Sequence, residues 1–152
     1  MNFKTRTVVV EVISALFILL FIYASLSKVQ DFEKFRVELY KSPILTSFAS
    51  IMAIVVPALE LVITGLLLIK RYQMIALYSS FCLMVMFTAY IVGILNFSPY
   101  IPCSCGGILQ FMTWNQHLVF NLLFVSLGGA AILIHPAKIK DLSAVRGKAE
   151  AL

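Results

Sequence analysis

Met74–Asn96 reads MIALYSSFCLMVMFTAYIVGILN, an unbroken run without Asp, Glu, Lys or Arg. As a helix rising about 1.5 Å per residue it is long enough to cross a hydrocarbon layer roughly 30 Å thick. No other single-segment conformation satisfies its backbone N–H and C=O groups without water. Working outward, three more apolar runs of spanning length appear: Thr7 to Leu26, Ile44 to Ile69 and Asn115 to Ile134. Across the whole chain 61% of residues are hydrophobic, 12% are charged and mean hydropathy is +0.98. Soluble domains carry charge on roughly a quarter of their residues, so that class is excluded. The expected fold is all-α: a four-helix transmembrane bundle forming one integral membrane domain over residues 1–152, with membrane lipid as its surroundings.

Lys4 and Arg6 precede the first run in the manner of a signal peptide. The run is long for such a segment and Ala24-Ser25 is a poor cleavage site, so it reads as a spanning helix. Lys4, Arg6, Lys70, Arg71, Lys138, Lys140, Arg146 and Lys148 would gather on one side of a four-span topology. On the other side, Lys28, Lys34, Arg36 and Lys41 are mixed with Asp31, Glu33 and Glu38. The positive-inside rule then puts both termini and the 137–152 tail in the cytoplasm, with the first and third loops outside, in the periplasm of a bacterium. The net charge of +5 follows from this asymmetry and gives no reason to expect a nucleic-acid partner.

Ser27 to Lys41 is too charged to span. Val29, Phe32, Phe35 and Leu39 recur at helical spacing opposite Lys28, Asp31, Lys34, Glu38 and Lys41, which predicts a short amphipathic helix in the first outer loop, with Asp31 capping it or opening its first turn. It serves equally as a solvated connector or as a docking surface.

The third loop holds Pro102-Cys-Ser-Cys-Gly-Gly107. A disulfide between Cys103 and Cys105 closes a small, strained ring, and strain favours exchange over stapling. Pro102 stiffens the approach, while Gly106 and Gly107 remove side-chain bulk near the sulfurs. An inert clip and a Cu(I) or Zn site that borrows His117 are the competing readings. No metal is assigned, because Cys-x-Cys alone lacks the second ligand pair of a closed site. Cys82, deep in the third run, reads as a small core residue too far away to join the pair.

Polar residues inside apolar runs are the remaining signals. Trp114, His117 and Asn121 share one helical face with Gly128, close after the thiols. An imidazole there could take the proton whose loss makes a thiolate, and an indole could stack on a flat ring such as a quinone; an interfacial anchor and a helix-packing contact are the plainer roles. Glu60 lies well inside the second run on a face with Ala53, Pro57 and Thr64. A carboxylate at that depth is costly and is read as functional, here as a proton carrier beside His117. Glu11 is nearer the cytoplasmic boundary, and Pro57 is positioned to free a carbonyl and kink its helix.

Ala24-Ser-Leu-Ser-Lys28 with Asp31-Phe32 and Phe35, Pro57-Ala-Leu-Glu60-Leu with Gly65, the Pro102–Gly107 loop, and Trp114-Asn-Gln-His117 with Asn121 together resemble the MauE branch of the DoxX-like membrane proteins. The resemblance runs over nearly the whole chain, and its most specific part is the Cys-x-Cys-Gly loop followed by Trp-x-x-His. It implies a redox-associated four-helix protein of the bacterial cytoplasmic membrane, linked in methylamine-utilising bacteria with a thioredoxin-like partner and disulfide formation. More distantly the architecture is similar to DsbB and vitamin K epoxide reductase, which pass thiol electrons to quinones. The sequence departs from both in lacking a Cys-x-x-Cys motif and a second loop pair, so only Cys103 and Cys105 carry a catalytic role over.

The expected function is thiol-disulfide exchange between a periplasmic thioredoxin-like protein and a membrane acceptor such as quinone. The alternative is a non-catalytic accessory subunit that stabilises other membrane subunits through its apolar faces.

Overall fold

The computed structural model describes residues 2–41, 46–97 and 113–135. These form five helices and no strand: α1 (Phe3–Gln30), α2 (Phe32–Lys41), α3 (Ala49–Leu68), α4 (Gln73–Phe97) and α5 (Trp114–Ile134), with a 3₁₀ turn at Thr46–Phe48 leading into α3. Four of them, α1, α3, α4 and α5, are long and apolar enough to cross a membrane. The fold is the expected all-α bundle with a short amphipathic helix after the first span. The chain is a multi-pass membrane protein.

Consecutive spanning helices pack against each other and α5 closes back on α1, giving the cyclic order α1, α3, α4, α5. Short connections between neighbours produce this up-down-up-down arrangement. The α3–α4 turn is closed by backbone bonds from Ile69 to Leu66 and from Tyr72 to Ile69. Two cross-links tie it to α1: Lys70 Nζ to Glu11 Oε1 at 2.9 Å, and Gln73 Nε2 to Ser14 Oγ at 3.1 Å. Glu11 therefore sits beside the α3–α4 turn, paired with the Lys70 ammonium.

The interior is divided along its length. Below the middle, Phe17, Phe21, Ile63, Leu67, Leu77, Met84 and Phe124 make one apolar core. Phe17 meets Phe124 edge-on, their ring centres 5.3 Å apart. Gly128 lets α5 approach here, since a Cβ at that position would lie 3.3 Å from Cζ of Phe17. At the other end a smaller cluster joins Phe35 and Leu39 of α2 to Ala49 and Ala53 of α3. The outer surface is apolar too, with Leu19, Val62, Met86 and Val119 exposed. Lipid solvates such side chains as well as a core does, so packing and polar contacts, more than hydrophobic burial, distinguish the inside.

Three expectations need correcting. The first span is longer than Thr7–Leu26, because helical hydrogen bonding continues past the apolar run at both ends. The region from Ser27 to Lys41 is two helices, not one. Asp31 marks the break: its N–H closes α1 on Ser27 O and its carbonyl accepts from Phe35 N. Consequently Val29 points outward and Lys28, assigned to the polar face, is buried. Cys82 is exposed on the outside of α4 instead of packed in the core. Pro57 lies inside the continuous α3, where its missing N–H frees the Ala53 carbonyl, and its own carbonyl accepts from Ser25 Oγ at 3.2 Å. The expected second span began at Ile44, which with the 137–152 tail falls outside the described residues.

Candidate functional site

Between the two apolar clusters lies a layer of buried polar side chains. Glu60 lies eleven residues after Ala49, about 17 Å along α3 from that end, and is 0% exposed. It shares its face with Ala53, Pro57 and Thr64, all buried as the sequence indicated. The partner that makes burial tolerable is Lys28, whose Nζ lies 2.7 Å from Glu60 Oε1. Antiparallel packing explains the pairing. Side chains lean toward the N-terminus of their own helix, so Lys28 on α1 and Glu60 on α3 lean toward each other.

The ammonium makes further contacts. Nζ donates to the carbonyl of Ala24, one turn back, at 3.4 Å. It also stands 5.9 Å from the ring centre of Phe35 and 5.8 Å from that of Phe87, distances at which a ring's negative face attracts a cation.

From α5 come His117 and Asn121, 8% and 3% exposed, on the face that continues to buried Gly128. Their register is set by a capping box at the helix start. Gln116 N–H donates to Thr113 Oγ1, and Thr113 N–H donates to Gln116 Oε1. Gly128 against Phe17 places α5 so that His117, eleven residues earlier, comes level with Lys28, eleven residues later. Trp114 is half-buried with its ring centre 6.3 Å from that of His117, the planes inclined at 30°.

Two atoms in this layer are buried without a hydrogen-bond partner: Glu60 Oε2, an acceptor, and Asn121 Nδ2, a donor. Buried polar groups are nearly always paired, so orphans of opposite character in one layer are chemically informative.

Of the residues singled out from sequence, His117, Asn121 and Trp114 lie in the first turns of α5, toward the end from which Lys28 reaches inward to Glu60 near the middle of α3. Pro102, Cys103, Cys105, Gly106 and Gly107 lie outside the described residues. Lys28 was missed as a site residue. The available signal was its position one turn beyond small Ala24, at the end of an apolar run, where a lysine can reach inward. A buried carboxylate needs a counter-charge, and few cations in the sequence were so placed.

A family model described as methylamine utilisation protein MauE matches residues 6–134. The chain belongs to the MauE family. The matched region takes in nearly all of the four spanning helices, the whole polar layer and the Cys-x-Cys segment of this family member. No curated protein and no solved structure matches significantly.

Proposed function

We propose that this MauE-family protein serves methylamine utilisation as a thiol-disulfide oxidoreductase of the bacterial cytoplasmic membrane. Cys103 and Cys105 exchange with a thioredoxin-like protein in the periplasm, and both termini lie in the cytoplasm. The observation that supports this most is the buried polar layer of Lys28, Glu60, His117 and Asn121. It stands at the bundle end where Phe97 and Thr113 flank the thiol-bearing segment.

In the oxidising direction a partner thiolate attacks one sulfur of the Cys103–Cys105 disulfide. An S–S bond forms between the proteins as the other sulfur leaves as thiolate. The partner's second thiolate then attacks the partner's own first sulfur and expels this protein's remaining bonded sulfur, leaving the partner's disulfide and, once both leaving sulfurs are protonated, a Cys103/Cys105 dithiol. His117 takes a thiol proton, and Glu60 is the deeper proton carrier. Reduction of the partner is the same sequence reversed.

The residues fit a quinone as the membrane acceptor. The orphaned Asn121 Nδ2 would donate to a carbonyl oxygen, and the half-buried indole of Trp114 would lie against the ring. A bound quinone would supply a two-electron, two-proton acceptor for the dithiol.

Thiol trapping tests the reading. Cys103→Ala or Cys105→Ala should freeze a mixed disulfide with a thioredoxin-like protein in cells. An accessory subunit would give no such adduct and would tolerate both changes. Alkylation of the pair in membranes, with and without added quinone, tests the acceptor; an unchanged redox state would remove quinone from the scheme.

A further inference from the structure

The Lys28 ammonium meets four of the five described helices. It bonds Ala24 O in α1 and Glu60 in α3 and stands over Phe35 of α2 and Phe87 of α4. We propose that Glu60 is a proton-binding site whose occupancy sets the seating of α2, the Lys28–Glu60 pair acting as a proton-operated latch over this end of the bundle.

The argument rests on an asymmetry between the two charges. Glu60 is deep in a continuous helix and cannot reach water, but a carboxylate can become neutral by taking a proton. Its Oε2 is buried and accepts no hydrogen bond, which leaves an oxygen open to that proton. Lys28 is two residues from the end of α1, so its flexible stem can carry the ammonium outward.

While Glu60 is charged, the pair is mutually satisfied and Phe35 lies against the ammonium. Once Glu60 is neutral, an ammonium among apolar groups is left without a counter-ion, and moving it to water is its escape. That movement removes the cation beneath Phe35. Only Asp31 separates α2 from α1. Phe35 and Leu39 anchor α2 on Ala49 and Ala53, and its far end is held by Tyr40, whose hydroxyl bonds Ser50 Oγ at 2.7 Å and whose carbonyl accepts from Thr46 Oγ1, so the Phe35 end is the part the ammonium governs.

The charged surroundings are simple. Helices α4 and α5 contain no Asp, Glu, Lys or Arg, and α5 faces the pair with His117. On α2, Glu33 pairs with Arg36 and Glu38 with Lys41, while Lys34 is exposed. Glu60 is the buried carboxylate among the described residues. The latch does not depend on thiol chemistry, although protons released by dithiol oxidation at this end would operate it.

Backbone hydrogen exchange on the full-length protein in lipid nanodiscs, with α4 as internal reference, provides the test. Glu60→Gln imitates the protonated state and should speed exchange in α2 by about tenfold over wild type, with α4 unchanged. Lys28→Met combined with Glu60→Leu leaves no charge that must escape and keeps an apolar stem in place against Phe35, so it should return α2 most of the way to wild-type protection. Equal α2 exchange in Glu60→Gln and wild type would overturn the proposal. If Glu60→Gln does not fold, acidification replaces it: the ratio of α2 to α4 protection should fall in wild type and stay flat in the double variant, and parallel curves for the two would be the overturning result.

Discussion

Two ion pairs tie α1 to the α3–α4 hairpin, one at the hairpin turn and one inside the bundle, and they are nearly alike in length: 2.9 Å for Lys70–Glu11 and 2.7 Å for Lys28–Glu60. Their surroundings differ. The Lys70 and Glu11 side chains are 85% and 45% exposed, whereas those of Lys28 and Glu60 are 7% and 0% exposed. In water the attraction between such charges is screened and offset by side-chain ordering. In a dry interior each charge depends on the other, because losing one strands its neighbour. Separation alone therefore says little about what a salt bridge does, and the buried pair is where function is to be sought.

The sharpest way to break the comparison is to remove one cation from each pair. Lys28→Met leaves the Glu60 carboxylate unpaired and should destabilise the protein by about 3–5 kcal/mol, read from unfolding in mixed micelles. Adding Glu60→Leu removes the stranded charge and should recover most of that loss. If the double variant is as unstable as the single one, the lysine stem matters through packing and the electrostatic account fails.

How far this was legible in sequence depends on whether a residue's environment is set locally. Apolar runs revealed the four spans because length and hydropathy are properties of one segment. Glu60 was legible for the same reason: a carboxylate amid apolar residues is anomalous wherever the helix packs. The shared face of His117, Asn121 and Gly128 followed from helical period alone. Lys28 was not legible in this way. Its burial depends on a break at Asp31, which rotates Phe35 inward and Val29 outward, and on a partner 32 residues away. Cys82 failed for the opposite reason, since in lipid an exposed position and a core position accept the same apolar side chain.

A second prediction asks whether the polar layer depends on the packing beneath it. Gly128→Leu forces a side chain into the space between Phe17 and Phe81, where even a Cβ would be crowded. It should cost about 1–3 kcal/mol by overpacking. Because Gly128 sets the level of His117 against Lys28, the same substitution should also loosen α2 in hydrogen exchange. An unfolding loss without any change in α2 would show that the layer holds its own register. Phe17→Ala would then supply the complementary case, a cavity in place of a clash.

The smallest effect belongs to the exposed pair. Lys70→Met leaves Glu11 free to turn to water, so no charge is stranded and the loss should be within about 1 kcal/mol. What remains should fade as salt is raised, because ions screen an exposed pair and hardly reach a buried one. The loss caused by Lys28→Met should stay constant over the same salt range. Unfolding of both variants in low and high salt therefore measures the contrast directly: a salt-sensitive Lys28 effect would mean that water and ions enter the polar layer, and Glu60 would then need no lysine to keep its charge.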